Sequence, residues 1–336
     1  MVAKKQSSLT EFYHNKRILI TGASGYIAWN LIKQLAEYNC TLVCFSRSAD
    51  IIEREKGDAN FKFIVANYQD EVAWQKAVKN IDIVYHLASQ TSVYEAEKDP
   101  LADYEANVKP IQLLLDACRK EETCPIIVFS GTSTQCGMPN KLPVDENVVD
   151  DPITTYDFNK LQAERWLKFY TRQGLVKGVS FRLTNVYGPG PRSSNADRGI
   201  LNLMIKQALN GGKLTIYGKG EFVRDYIYID DVVNTFLSAP LYINDFNKKH
   251  LILGSGEGNT IKEAVHKVGK LVTNQTGIKV VIENIDMPMG MAKIEFRNFI
   301  AETKSLYKIG LCNKMISLNQ GIKKTVEYYC KGNKDK

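Results

Sequence analysis

Tyr156 and Lys160 stand four residues apart in the run TTYDFNK at 154–160. On a helix, positions four apart share a face, so both side chains point the same way. An ammonium beside a phenol favours the phenolate and pulls its pKa down from about 10. A phenol tuned in this way can take or give a proton at a carbinol. Tyr/Lys pairs of this spacing also occur on many surface helices, so a partner is needed. Thr132 supplies one: it lies just beyond the apolar run at 125–129, where a hydroxyl can hydrogen-bond an oxygen on which charge develops.

A second stretch gives this trio its context. RILITGASGYIA at 17–28 reads as a buried strand, a tight turn and the first turn of a helix. Such a turn aims unpaired backbone N–H groups at one point, and the helix end adds roughly half a positive charge there. Gly22 and Gly25 carry no side chain to keep a diphosphate away. Small residues also end strands in many α/β proteins; the position after an apolar strand near the start of the chain is what favours the binding turn. Behind such a turn, Thr132, Tyr156 and Lys160 make a consistent redox site.

The rest of the chain must position these groups. Strands are expected at 41–45, 61–65, 81–87, 125–129 and 178–183. Helices are expected at 25–38, 70–79, 154–172 and, opened by Asp99-Pro100, over 99–119. Alternating strands and helices imply a doubly wound parallel sheet, with the ligand crevice outside the strands' carboxyl ends. Beyond Asn185 the pattern loosens. Tyr187-Gly188-Pro189-Gly190-Pro191 reads as an irregular loop, and helices are expected at 199–210, after Asp230-Asp231, after the capping box at 260–263 and after 317–320. The expected organisation is an extension at 1–16, a dinucleotide-binding domain at 17–184 with part of 225–253, and a smaller α+β substrate lobe at 185–332.

The composition is that of a soluble globular chain: 336 residues, 44% hydrophobic and 24% charged. The net charge of +7 suits anionic small ligands as well as nucleic acid, but no nucleic-acid motif stands out. No apolar run approaches a membrane span, and residues 1–16 are polar without the core of a signal peptide. Seven cysteines without a C-x-x-C fit a reducing cytoplasm, and the four isolated histidines offer no metal-ligand spacing.

Taken together, TGASGYIA (21–28), YHLASQTSV (85–93), FSGTSTQCG (129–137), TTYDFNK (154–160), FRLTNVYGPGPR (181–192) and YGKGEFVRDYIYIDDV (217–232) resemble the extended short-chain dehydrogenase/reductases. Within these the chain is similar to the NAD(P)-dependent nucleotide-sugar epimerase/dehydratase family, over about 17–327. The resemblance implies a Rossmann-like domain, a nucleotide-sugar lobe, and hydride exchange at a sugar carbinol, most often C4. It assigns Gly22, Gly25, Tyr26 and Ile27 to the cofactor diphosphate, with Ala28 where a third glycine is usual. Leu87, Ala88 and Ser89 match the turn beside the cofactor ribose. Gln90 to Ser92 match the loop leading to the sugar, and Ser133 adjoins the catalytic position. Thr132 matches the catalytic Ser/Thr, Tyr156 the proton-transferring base, and Lys160 its ribose-binding partner. Asn185 and Arg224 match contacts to the substrate diphosphate, with Arg192 and Arg297 as further candidates for that anion. It also implies a homodimer built on the helices near 99–119 and 154–172, to which Leu113, Leu114, Trp166 and Tyr170 are candidates.

Three departures refine the expectation. Ser46-Arg47 ends the second strand where an acidic residue would hold an NAD ribose; a hydroxyl and a guanidinium suit a 2′-phosphate, which favours NADP over NAD. Ser133-Thr134 follow Thr132 where 4,6-dehydratases carry Asp-Glu, so a 4,6-dehydratase is not expected. Cys136 replaces the usual tyrosine before Gly137. The leading expectation is a cytoplasmic nucleotide-sugar epimerase acting through a transient 4-keto sugar, in polysaccharide or glycoside assembly. The alternatives are an NADPH-dependent 4-ketoreductase of a 4-keto-6-deoxy nucleotide sugar and, from another class, a non-catalytic NADP-binding regulator.

Overall fold

The structure is a computed structural model and describes residues 2–48, 57–190, 199–312 and 314–332. Helix α1 (Val2–Tyr13) leads into β1 (Arg17–Thr21), α2 (Tyr26–Leu35), β2 (Thr41–Ser46), β3 (Asn60–Val65), α3 (Glu71–Val78) and β4 (Ile83–His86). Three helices follow, α4 (Val93–Lys98), α5 (Pro100–Asn107) and α6 (Lys109–Lys120), then β5 (Ile126–Thr132), α7 (Thr155–Arg172) and β6 (Lys177–Leu183). The remainder comprises β7 (Asn185–Tyr187), α8 (Ile200–Leu209), β8 (Leu214–Tyr217), β9 (Val223–Tyr228), α9 (Ile229–Ser238) and α10 (Ile243–Phe246). It ends with β10 (His250–Leu253), β11 (Gly258–Thr260), α11 (Ile261–Thr276), β12 (Ile282–Ile285), α12 (Lys304–Ile309) and α13 (Leu318–Gly332).

A seven-stranded sheet runs in the order β10-β6-β5-β4-β1-β2-β3. β1 pairs in parallel with β2 on one side and β4 on the other, so the strand order reverses at β1/β4. This is the Rossmann-like architecture expected, and the reversal is where an open parallel sheet leaves a crevice at its carboxyl edge. Successive residues Ile18, Leu19 and Ile20 are all buried although they alternate in direction, because helices cover both faces. β3, at the edge, leaves Phe63 37% exposed.

The chain divides into two compact units. One comprises residues 1–135, 154–182 and 233–251; the other comprises 136–153, 183–232 and 252–336. Residues 136–153, grouped in the sequence reading with the first domain, fall in the second unit for a clear reason. Val144 pairs with the backbone at 300–302, and Cys136 and Val144 share a small core with Phe299 and Ala301. In the first unit Leu19, Phe45, Trp74, Leu114, Phe129 and Leu167 belong to one buried cluster. Each fully buried side chain of this size contributes about 1.5–3 kcal/mol of transfer free energy.

Two expectations need correction here. The first 16 residues are not a loose extension: they contain α1, whose Tyr13 is wholly buried and donates to the Leu237 carbonyl at 2.7 Å. The single helix expected over 99–119 is two, α5 and α6, interrupted at Val108. Pro110 sits in the first turn of α6, where its missing N–H does no harm, and it cannot continue a helix from α5. Asp99 does cap α5, accepting from the Ala102 N–H at 3.0 Å.

The second unit holds a three-stranded sheet, β11-β9-β7, and a parallel pair, β12-β8. Most of these strands are three or four residues long, too short to carry a period-2 signal; the strand expected from the sequence at 214–217 is β8. Thr260 and Glu263 form the expected capping box on α11. Asp230 and Asp231 lie within the first turn of α9 rather than before it, and Asp231 accepts from the Ile316 N–H at 2.8 Å.

Candidate active site

The turn after β1 is shaped by two glycines. Gly22 has φ +68°, and a Cβ there would meet the Ala88 nitrogen at 2.8 Å. The backbone of the turn therefore lies directly on the turn after β4, which no side chain would permit. Gly25 caps α2 in extended backbone, its N–H on the Gly22 carbonyl at 2.8 Å, and brings no side-chain cap to the helix N–H groups that follow. An uncapped helix start above a glycine turn fits the diphosphate of a nicotinamide dinucleotide. Ala28, 1% exposed, fills the third-glycine position without holding the helix off the sheet. Tyr68, which sequence reasoning missed, supports the turn: its hydroxyl accepts from the Gly22 N–H at 2.8 Å and donates to the Phe45 carbonyl at 3.2 Å. At the end of β2, Ser46 is buried and donates to the Ser48 carbonyl at 2.6 Å. Arg47 is exposed, its guanidinium 6.0 Å from the Tyr68 ring.

Thr132 ends β5, and Tyr156 and Lys160 lie one helical turn apart on α7, all within the first unit. Thr154 caps α7 by accepting from the Asp157 N–H at 3.2 Å, which fixes where the helix starts and so which face carries Tyr156 and Lys160. Both are buried, at 5% and 3% exposure. Lys160 Nζ lies 4.4 Å from the centre of the Phe129 ring on β5, the strand that ends at Thr132. Thr132 Oγ1 accepts from the Thr134 N–H at 3.3 Å and lies 2.8 Å from the Thr134 hydroxyl. Ser133 is 2% exposed, in the 3-10 turn Ser133–Cys136. No carboxylate occupies either position after Thr132.

A buried histidine ties the β4 turn to β1. Thr21 Oγ1 accepts from the N–H groups of Leu87 and Ala88, each at 3.1 Å. Its own proton is then available for His86 Nδ1, also at 3.1 Å, which makes His86 an acceptor there with its proton on Nε2. Burial, helped by the charge of Lys160, pushes the His86 pKa down from 6.5 to about 3. The sign follows: protonation favours the unfolded chain, so this contribution is complete above about pH 6.5 and is lost as pH falls from there towards 3. We expect unfolding free energy from urea titration to drop by roughly 2 kcal/mol between pH 7 and 5, and His86→Gln to flatten that drop. Equal slopes in both proteins would show that another group titrates.

Beside this lies a second network that the sequence did not reveal. Asp103, 1% exposed on α5, accepts from Gln90 Nε2 at 2.9 Å, Asn107 Nδ2 at 2.9 Å and Asn159 Nδ2 at 2.8 Å. Burial raises its pKa and these bonds oppose that rise. Ser89 Oγ reaches Asn107 Oδ1 at 2.5 Å, so the ribose-side turn is joined through Asp103 to α7. Gln90 also donates to the Ser92 carbonyl at 2.8 Å, and Ser92 Oγ caps α4 at Glu95. The amide of Gln90 and the hydroxyl of Ser92 thus have internal partners.

In the second unit, Asn185 donates to the Asp225 carbonyl at 3.0 Å. Arg224 is 4% exposed; it donates to the carbonyls of Glu295, at 2.7 Å, and Arg297. Arg297 is 7% exposed and donates to the Ile294 carbonyl at 2.9 Å. Arg224 Nη2 also lies 3.5 Å from the Glu295 carboxylate, so carbonyls and one acid hold this guanidinium in place. Asp225 organises its strand: it accepts from the N–H groups of Ser255, Gly256 and Ala301 at 2.7, 2.9 and 3.0 Å. Arg192 lies outside the described residues.

The parallel sheet with its glycine turn after β1, and the Tyr/Lys pair on α7, are those expected of an extended short-chain dehydrogenase/reductase. The model of the NAD dependent epimerase/dehydratase family matches residues 18–252, and the chain belongs to that family. It is 28% identical over 280 residues to the UDP-glucose 4-epimerase of Lactobacillus helveticus, covering 79% of this chain and 83% of that protein. It is 27% identical over 261 residues to the dTDP-4-dehydro-6-deoxyglucose reductase of Escherichia coli, covering 75% and 80%. The crystal structure of UDP-glucose 4-epimerase from Thermotoga maritima with UDP-glucose matches with a TM-score of 0.81 at 27% identity, over 94% of this chain and 99% of that one. No helix among the described residues is long and apolar enough to cross a membrane.

Proposed function

We propose that this protein is a nucleotide-sugar epimerase acting at C4 through a transient keto sugar. The observation that carries the reading is the Tyr156–Lys160 pair, buried on one face of α7 with Lys160 over Phe129, beside a Thr132 followed by hydroxyls instead of acids. Tyr156 takes the proton of the C4 hydroxyl and returns it. Thr132 Oγ1 hydrogen-bonds the same oxygen as charge develops there. Lys160 holds the ribose and favours loss of the phenolic proton. A nicotinamide, when bound, supplies the hydride exchange at C4. Elimination of water across C5–C6 needs an acid/base pair that Ser133 and Thr134 do not offer, so 4,6-dehydration is not expected. Asn185, Arg224 and Arg297 are assigned to the substrate diphosphate, and Gln90, Ser92 and Ser133 to the sugar side.

The second reading is an NADPH-dependent 4-ketoreductase. It rests on Arg47, an exposed guanidinium where an acidic residue would hold an NAD ribose; it also makes NADP the preferred cofactor of either reading. The similarity to the Escherichia coli reductase supports it. A homodimer is proposed through α7, where Phe158, Trp166 and Phe169 are exposed while Leu114 is core. The deciding experiment identifies the cofactor and nucleotide sugar that co-purify by mass spectrometry, then mixes the protein with a 4-keto-6-deoxy nucleotide sugar and NADPH. Stoichiometric loss of NADPH selects the reductase. Epimer formation from a nucleoside-diphosphate hexose without net cofactor use selects the epimerase.

A further inference from the structure

Gln135 is wholly buried at the end of the first unit's 3-10 turn, and its amide faces two ways. Oε1 accepts the Thr132 N–H at 2.8 Å; Nε2 donates to Glu164 Oε2 at 3.0 Å. Glu164 is itself fixed, one helical turn beyond Lys160. Arg182 Nε and Nη2 reach its two oxygens at 3.0 and 2.8 Å, Ser180 Oγ at 2.8 Å and Lys168 Nζ at 2.6 Å. Gly131 leaves the room for this: a Cβ there would come within 2.9 Å of both Gln135 Oε1 and Ser180 Oγ. The two bonds require an acceptor and a donor on one short planar group, which a side-chain amide supplies. A carboxylate at 135 would face that of Glu164, and an alkyl chain would leave the half-buried Thr132 N–H without this acceptor.

We propose that Gln135 is a positioning residue that clamps the backbone of Thr132 to α7, and so sets the Thr132 hydroxyl against the turn that carries Tyr156 and Lys160. The inference rests on the reading of Thr132 as the group that hydrogen-bonds the reacting oxygen. The clamp acts on the backbone because the Thr132 side chain has a competing local partner in Thr134. A displacement of the hydroxyl by about 1 Å is enough to cost on the order of 100-fold in rate.

The test is a double-mutant cycle between Gln135→Met and Thr132→Ala, with UDP-glucose as the substrate, joined to amide hydrogen exchange. Gln135→Met should lower kcat by about 10- to 100-fold and leave KM and cofactor affinity within about twofold, because binding groups are untouched. In the Thr132→Ala background the same change should lower kcat by less than about twofold. Exchange at the Thr132 amide should accelerate while α7 keeps its protection. Equal losses in both backgrounds, or a raised KM with kcat unchanged, would overturn the clamp and leave the role of Thr132 standing. Full activity in Thr132→Ala alone would remove the role of Thr132, and the clamp's purpose with it. Unaltered exchange at Thr132 in Gln135→Met contradicts the clamp without reference to activity. Should Gln135→Met not fold, Gln135→Asn, too short to reach both partners, carries the same expectations.

Discussion

We expect Tyr156→Phe to lower turnover by about 10²- to 10⁴-fold, the range for loss of a general acid/base, and to leave the fold intact. The ring of Tyr156 is 5% exposed, so its packing survives in phenylalanine, and only the hydroxyl is lost. Among the described residues of the first unit, Thr132, Lys160 and His86 are poor substitutes for that hydroxyl as a proton carrier. Thr132 offers a hydroxyl far too weakly acidic for the task, and Lys160, held over the Phe129 ring, carries no acceptor while charged. His86 is buried on Thr21 with its pKa at about 3, tied to the turn below and neutral at working pH. The check is kcat for the variant on the substrate that the wild-type protein epimerises or reduces, together with cofactor affinity, which should stay within about twofold because no diphosphate contact changes. Undiminished kcat in Tyr156→Phe would remove the phenol from the chemistry.

Glu164→Gln is expected to destabilise the first unit strongly. Glu164 and Arg182 are both at 0% exposure, and Gln135, Ser180, Arg182 and Lys168 all donate to the carboxylate. Burial alone would push the Glu164 pKa up; the bonds and charges of Arg182, with Lys168 and His250, outweigh it and hold the carboxyl well below its ordinary range. An amide turns one acceptor into a donor facing other donors and removes the carboxylate charge that lies against the buried Arg182. Breaking a buried pair in this way costs about 3–5 kcal/mol. The urea midpoint of Glu164→Gln should fall accordingly. With a depressed folded pKa, as for His86, the wild-type contribution is complete above the ordinary glutamate value and is lost as pH falls below it. The stability gap between the two proteins should therefore narrow in acid. A variant as stable as the wild type near neutrality would contradict this.

How much could be read in the residues depended on whether the signal was local. The β1–turn–α2 unit was legible because an apolar run, two glycines and an amphipathic helix are adjacent. The caps at Asp99 and Thr260 were legible for the same reason: cap and recipient lie within three residues. The break between α5 and α6 was available in Pro110 and was outweighed by the continuous helical pattern around it. Helix α1 was missed because its apolar face is narrow and its anchor, Tyr13, finds its partners Tyr85 and Leu237 far along the chain. Tyr68, Asp103, Gln135 and Asp225 were missed on the same ground: each makes sense only through neighbours that folding brings in. Gln135 had one faint signal, an amide in an otherwise small-residue turn directly after Thr132.

The central claim is that the C4 hydrogen of a nucleotide sugar leaves and returns as a hydride while Tyr156 handles the hydroxyl proton. The most direct measurement is epimerisation of UDP-glucose deuterated at C4, in ordinary water, with the product read by NMR. Deuterium fully retained at C4 of the epimer, together with loss of epimer formation in Tyr156→Phe, is the predicted result. Deuterium washed out into solvent during epimerisation would contradict it, since that would mean a carbon-bound proton had been exchanged with water.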